Sequence, residues 1–260
     1  MVETLHKPPL AVLRTKGTND HENMNYGLQL AGGESEIVHM NELLTGVRRL
    51  EKYRMIVLPG GFSRGDALGA GNMWAQQFRS QLSDELREFL EKDKVVFGVC
   101  NGFQVLVQLG LLPLGEIQSR DRNKATLALN ESDTFQSNWV HLRGENGLSV
   151  ANGDILTLPI GHGEGQFVAD EEVLQEIEER GLVAYRYVTK EGEDAQDYPD
   201  NPNGSVNAIA GLIDPHEQVI GMMPHPDRYI YPDNYVNWRR EDRGRPHGLR
   251  ILEQIIDFAR

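Results

Sequence analysis

Four short, almost unbroken apolar runs constrain this chain more than any other feature: Leu10–Leu13, Met55–Leu58, Val95–Val99 and Gln218–Met222. A strand with one wet face alternates polar and apolar residues. A strand without that alternation is covered on both faces, as in a parallel sheet between two layers of helices. Helical spacing falls between the runs, over Glu22–Ala31, Gly71–Glu91 and Phe103–Leu109, and again near the end over Gly248–Ala259. Within Gly71–Glu91 the residues Trp74, Phe78, Leu82, Leu86 and Leu90 recur every fourth position, the signature of a core-facing stripe. Glu36–Met40 reads as a further strand. The pattern predicts an α/β fold with a mainly parallel central sheet flanked by helices.

The middle of the chain departs from it. Thr126–Leu129, Gln136–Leu142 and Asp154–Ile160 read as strands with no helix between them, which predicts an antiparallel excursion. Asp170–Arg180 returns to helix, Gly192–Ser205 is a loop rich in Asp, Asn, Pro and Gly, and Val206–Ile213 is again a strand. At 260 residues, without an internal repeat, the chain is expected to form a single domain over 1–260.

Composition narrows the function classes. The formal net charge of −13 argues against general nucleic-acid binding, although Arg239, Arg240, Arg243 and Arg245 form a local basic cluster. No apolar run approaches a membrane span, and Met1–Pro9 has no signal-peptide core. The one cysteine excludes an internal disulfide and fits a reducing, cytoplasmic setting.

That cysteine is also the most reactive-looking residue. Cys100 follows the run Val95–Val99 and precedes Asn101-Gly102-Phe103-Gln104, where a helical pattern begins. A nucleophile on a sharp strand-to-helix turn needs small neighbours for strained dihedrals and close substrate approach. The helix N-terminus behind it favours a thiolate. A buried, inert thiol is the competing reading.

A thiolate nucleophile needs a base and an oxyanion site. His225, in Met223-Pro224-His225-Pro226-Asp227-Arg228, follows a predicted strand, and Asp227 stands two residues on to orient the imidazole. His-Pro-Asp alone would be a surface turn. Gly60 and Gly61, in Pro59-Gly60-Gly61-Phe62-Ser63, leave backbone N–H groups unshielded at another strand end, although a glycine pair is more often a plain turn. His162, in His162-Gly-Glu-Gly165, is the rival base. Arg64-Gly-Asp66 reads as a coincidental match to an adhesion tripeptide. One thiol and the His162/Glu164 spacing do not make a metal site.

Five segments together resemble the class I (triad-type) glutamine amidotransferases, and most closely the glutaminase subunits of phosphoribosylformylglycinamidine synthases. They are Leu58-Pro-Gly-Gly-Phe-Ser-Arg-Gly-Asp66, Gly98-Val-Cys-Asn-Gly-Phe-Gln104, His162-Gly-Glu-Gly165, Asn201-Pro-Asn-Gly-Ser205 and Gly221-Met-Met-Pro-His-Pro-Asp-Arg228. They stand in family order across most of the chain. The resemblance implies a flavodoxin-like amidotransferase fold and a γ-glutamyl thioester on Cys100, with His225 as base and Asp227 as its orienting carboxylate. It also implies an oxyanion hole from Gly60, Gly61 and Asn101, with Phe62, Gln104 and His162 as contacts to glutamine. Ammonia would pass to a synthetase subunit that converts formylglycinamide ribonucleotide to its amidine, with a small accessory subunit as a further candidate partner. ATP and magnesium would belong to the synthetase, and this chain would carry no cofactor.

Two departures stand out. The family usually has glutamate two residues after the histidine, and Asp227 is one methylene shorter, a loss of about 1.5 Å of reach. The segment Tyr229–His247, rich in Tyr, Trp and Arg, is either a docking surface or a lineage-specific loop. The alternatives are a glutaminase serving another synthetase, a different cysteine hydrolase, and a catalytically silent subunit on the same scaffold.

Overall fold

The computed structural model describes residues 7–117, 124–145, 155–241 and 244–260. The first half alternates strand and helix: β1 Pro9–Arg14, α1 His21–Leu30, β2 Glu34–His39, α2 Met40–Leu44, β3 Met55–Leu58, α3 Asn72–Gln81, α4 Ser83–Leu90, β4 Val95–Val99 and α5 Asn101–Leu109. The second half runs β5 Ala125–Ala128, β6 Trp139–Gly144, β7 Ile155–Pro159, β8 Gln166–Ala169, α6 Glu171–Glu179, β9 Val183–Val188, β10 Ile209–Ile213, β11 Val219–Met222 and α7 His247–Phe258.

Nine strands form one sheet in the order β2-β1-β3-β4-β11-β10-β9-β6-β7, and β5 pairs with β8 in a separate antiparallel ribbon. From β2 to β11 every neighbour is parallel, and from β11 to β7 every neighbour is antiparallel. This is the mainly parallel α/β sheet with an antiparallel excursion that the patterning predicts. β3, β4 and β11 are buried along their whole length, which accounts for their continuous apolar sequences. One consequence decides where chemistry can occur. β1, β3, β4 and β11 are consecutive and parallel, so the loops after them emerge at one edge, where open α/β sheets bind ligands.

Gly71–Glu91 is not one helix. It breaks at Leu82, with φ −131° and ψ 9°, into α3 and α4. A side chain every fourth position advances about 40° around a helix of 3.6 residues per turn. Over the stripe from Trp74 to Leu90 that drift would carry the last residues off the core. The break re-aims the second half, and Trp74, Phe78, Leu82 and Leu86 are all buried.

Sequence patterning misses β8 and β9. The latter, Val-Ala-Tyr-Arg-Tyr-Val, is buried throughout yet interrupted by Arg186, whose guanidinium reaches Glu145 at 3.0 Å and Glu178 at 2.7 Å. The expected strand Val206–Ile213 is shorter, because Asn207 and Ala208 take positive φ in a turn before β10. In Tyr229–His247 the aromatics divide. Tyr229 and Tyr235 are buried edge-on against Trp139, at 5.3 and 4.9 Å, whereas Tyr231 and Trp238 are exposed. Residues 1–6, Asp154 and Arg243 lie outside the described residues.

Candidate active site

Cys100 stands at the junction of β4 and α5 with φ 50° and ψ −106°. A non-glycine residue in that region costs about 1–3 kcal/mol and persists only where its surroundings impose it. The surroundings here are close-packed glycines. A Cβ on Gly102 would lie 1.9 Å from the Leu58 carbonyl oxygen, and one on Gly98 would lie 2.8 Å from the Gly102 carbonyl oxygen. The Cys100 N–H donates to the Met222 carbonyl at 2.8 Å, which ties the elbow to the end of β11. The thiol is 5% exposed, 3.7 Å from the Gly161 carbonyl oxygen, and can donate to it.

His225 reaches the same place from the neighbouring strand. β4 and β11 are in register, with Val99 beside Met222, so Cys100 and the loop after Met222 leave the sheet side by side. The imidazole is completely buried. Its Nδ1 lies 3.3 Å from Asp227 Oδ1 and 3.6 Å from Asp20 Oδ2. Burial alone would depress its pKa, but negative charge and hydrogen bonding at Cys100 and Asp227 outweigh that and push it up to about 10. Nδ1 faces the carboxylates and so carries a proton in either charge state, which leaves Nε2, without a hydrogen-bond partner among the described residues, as the nitrogen that can exchange a proton. That is the orientation a base for the thiol requires.

Gly60 makes room for this cluster. A Cβ there would lie 2.5 Å from Asp20 Oδ2 and 2.6 Å from His225 Cε1. The turn is pinned by Asp20 N–H to the Gly60 carbonyl at 3.3 Å and Phe62 N–H to the Gly17 carbonyl at 2.9 Å. The Gly60 and Gly61 N–H groups take no part in these bonds. Asn101 joins this turn to the start of α5: its buried Oδ1 accepts from the Ser63 N–H at 3.1 Å. Its Nδ2 donates to Asp66 at 3.3 Å and to Gln104 Oε1 at 3.0 Å. Asp66 is pushed up to about 6 by burial and by the nearby Glu164, against the pull of the Asn101 hydrogen bond. Arg64 bonds Gln77, so both charged residues of the Arg-Gly-Asp tripeptide serve this loop.

Gln104 is held at both ends of its amide, by Asn101 and by the Glu164 carbonyl, to which its Nε2 donates. It is a strut between α5 and the 161–165 loop, and direct contact with a ligand requires one of these bonds to open. Phe62 is half exposed at the rim.

His162 sits in that loop, buried, with Nδ1 3.0 Å from Asn130 Oδ1. Burial, reinforced by the charge of His225, lowers its pKa to about 3, so its imidazole is neutral at physiological pH. Asn130 organises the whole loop: it donates to the His162 carbonyl at 2.9 Å and accepts from the Gly165 N–H at 3.0 Å. The Asn201–Ser205 block braces it from behind. Asn203 donates to the Gly165 carbonyl at 2.8 Å, and Ser205 Oγ accepts from the Phe167 N–H at 2.9 Å. That block is buried support rather than a contact surface.

The depressed pKa of His162 makes a stability prediction. Its contribution is fully present above the ordinary value of 6.5 and is lost as pH falls toward about 3, because the unfolded chain binds the proton first. His225 acts in the opposite sense, favouring the folded state below 6.5 and losing that effect as pH climbs through about 10. A His162→Gln variant is expected to show a flatter fall of Tm with acidification from pH 6.5 than the unmodified chain. Parallel slopes would assign the acid sensitivity elsewhere.

The structure therefore gathers Cys100, His225, Asp227, Gly60, Gly61, Asn101, Gln104 and His162 around one strand edge. Sequence reading missed Asp20, Asn130 and Arg228, whose Nη2 donates to Asp20 Oδ2 at 2.8 Å. Asp20, His225 and Asp227 place three ligand-type atoms within 4.8 Å of one another, a spacing that could admit a metal ion. The Arg228 guanidinium already compensates Asp20, and a proton on Nδ1 meets both carboxylates, so the donor set suits a histidine base better than a cation.

Residues 7–259 match the family described as CobB/CobQ-like glutamine amidotransferase domains. The phosphoribosylformylglycinamidine synthase subunit PurQ of Methanococcus maripaludis is 38% identical over 253 residues, 96% of this chain and 94% of that protein. The PurQ subunit of Dehalococcoides mccartyi is 36% identical over 261 residues, covering 98% and 99%. Among solved structures, a chain of PurLQS from Thermotoga maritima superposes with a TM-score of 0.73 at 28% identity, over 98% of this chain and all of that one. The chain belongs to the CobB/CobQ-like glutamine amidotransferases and, within them, to the PurQ subunits of phosphoribosylformylglycinamidine synthase.

Proposed function

We propose that this chain hydrolyses glutamine to glutamate and ammonia and supplies the ammonia to the synthetase subunit of a phosphoribosylformylglycinamidine synthase. The observation that carries this reading is the meeting of Cys100 and His225 at the ends of two adjacent parallel strands, the first on a strained elbow, the second raised to about pKa 10 by Cys100 and Asp227.

The Cys100 thiol proton passes to His225 and the sulfur attacks the side-chain amide carbon of glutamine. The Gly60, Gly61 and Asn101 N–H groups receive the oxyanion, at a helix N-terminus whose dipole favours negative charge. His225 returns the proton to the departing nitrogen, ammonia leaves, and a γ-glutamyl thioester remains. His225 then takes a proton from water, hydroxide attacks the thioester, and glutamate is released with the thiol restored. His162 Nε2 is a buried acceptor with no partner among the described residues, fit to receive an amide N–H of glutamine. Phe62 borders the entrance.

ATP and magnesium belong to the synthetase in this scheme, since the chemistry above uses only side chains and water. The free thiol of Cys100 suits a reducing, cytoplasmic site of action, and no helix among the described residues is long and apolar enough to cross a membrane.

The test is mass spectrometry of the chain in complex with its synthetase after exposure to 6-diazo-5-oxo-norleucine. One adduct on Cys100, suppressed by glutamine, is expected. An unlabelled Cys100 in the assembled complex would discard the glutaminase reading.

A further inference from the structure

His225 Nδ1 has two carboxylate neighbours rather than one. Asp227 Oδ1 approaches to 3.3 Å, long beside the 2.7–2.9 Å or so of a strong charge-assisted bond, and its Oδ2 is buried without a partner among the described residues. Asp20 Oδ2 stands 3.6 Å from the same nitrogen. The two come from different parts of the fold, Asp227 from the turn after β11 and Asp20 from the loop after β1. Both are buried.

Asp20 is also fixed from three sides. Arg228 holds its Oδ2 at 2.8 Å, its N–H donates to the Gly60 carbonyl at 3.3 Å, and Gly60 leaves no room for a Cβ between it and the imidazole. A carboxylate serving only an ion pair with Arg228 could point to solvent. This one is turned onto the ring. Asp227 Oδ1 stops about 0.5 Å beyond the length of a strong charge-assisted bond, and a glutamate at 227, one methylene longer, has the reach to close that gap.

We infer that Asp20 is a positioning residue for His225: it shares with Asp227 the task of holding the imidazole with Nδ1 protonated and Nε2 toward Cys100, and it makes up for the short side chain at 227. The inference rests on the proposed role of His225 as the base. The charged and titratable groups that face this ring are Cys100, Asp227 and Asp20, with Arg228 behind Asp20 and the neutral His162 nearby. With one carboxylate removed the imidazolium is less well compensated, so the alkaline limb of the rate profile moves to lower pH.

The experiment compares the unmodified chain, Asp20→Asn, Asp227→Glu and the double variant Asp20→Asn/Asp227→Glu, each assembled with the synthetase, for glutamine hydrolysis across pH. Asp20→Asn is expected to lower kcat on the order of tenfold to a hundredfold with little change in KM, and to shift the alkaline limb downward. Asp227→Glu alone is expected to change little. In the Asp20→Asn background it should recover most of the lost kcat, because the longer side chain then supplies the missing oxygen. An Asp20→Asn enzyme with unaltered kcat and pH profile would overturn the inference. So would a loss that Asp227→Glu leaves unrepaired, since Asp20 would then serve the fold through Arg228. If the unmodified complex hydrolyses no glutamine, the glutaminase reading itself fails, a result distinct from either of these.

Discussion

Cys100→Ser in the assembled complex is expected to lose glutamine-dependent amidine synthesis by about 10⁴-fold or more, while synthesis from added ammonia continues. Serine keeps the volume and the elbow dihedrals, so the change isolates the sulfur. A hydroxyl ionises far less readily than a thiol, and the helix N-terminus and His225 that suffice for a sulfur nucleophile do not suffice for oxygen. Ammonia added directly bypasses the thioester and needs nothing from the elbow. The measurement is product formation by the complex with each nitrogen source in parallel. If both activities disappear together, Cys100 holds the two subunits in a working arrangement rather than attacking glutamine. If neither changes, the nucleophile lies elsewhere.

The sequence displays the elbow because its constraints are local. Gly98 and Gly102 flank Cys100 within a few positions, and the close approach of α5 to β3 demands them wherever the chain turns this sharply. The parallel half of the sheet is legible for a related reason, since burial on both faces leaves an apolar run with no competing pattern. β9 has the same burial, but the ion-paired Arg186 breaks its run, and only the positions of Glu145 and Glu178 in space explain how a charge is tolerated there. Asp20 was invisible for a stronger reason. It meets His225 and Arg228 across more than two hundred residues, and a lone aspartate after β1 looks like any turn residue. Gln104 is the converse case, a polar residue one helical turn from the nucleophile whose position suggests substrate contact and whose amide is bonded to protein at both ends. The Asn201–Ser205 block marks the family by sequence, yet its side chains brace the 161–165 loop from inside. Motifs report that a residue type is required, and only packing reports what requires it.

The two buried histidines separate cleanly by experiment. His225→Ala is expected to lower kcat for glutamine hydrolysis about 10³-fold, whereas His162→Ala should cost about tenfold or less. The larger loss corresponds to roughly 4 kcal/mol of transition-state stabilisation, in the range for a residue that moves a proton in every turnover. Position alone does not distinguish them, since both are buried near Cys100, and the charge of His225 bears on His162. Their surroundings do. His225 faces the Cys100 sulfur and two carboxylates and is raised to about 10, so it can accept the thiol proton and hold it until the amide nitrogen departs. His162 bonds the amide oxygen of Asn130 and is lowered to about 3, so holding a proton there at neutral pH would be strongly unfavourable. Removing His162 leaves Asn130 still bonded to the Gly165 N–H, so the loop keeps part of its support. Rates should be compared well below the Tm of either variant, because His162→Ala opens a cavity in a buried loop. The reverse order of losses would make His162 the base and leave His225 with a structural role. Equal losses at unchanged KM would mean that His162 stabilises the transition state as strongly as the base does, through an Nε2 acceptor that has no partner among the described residues.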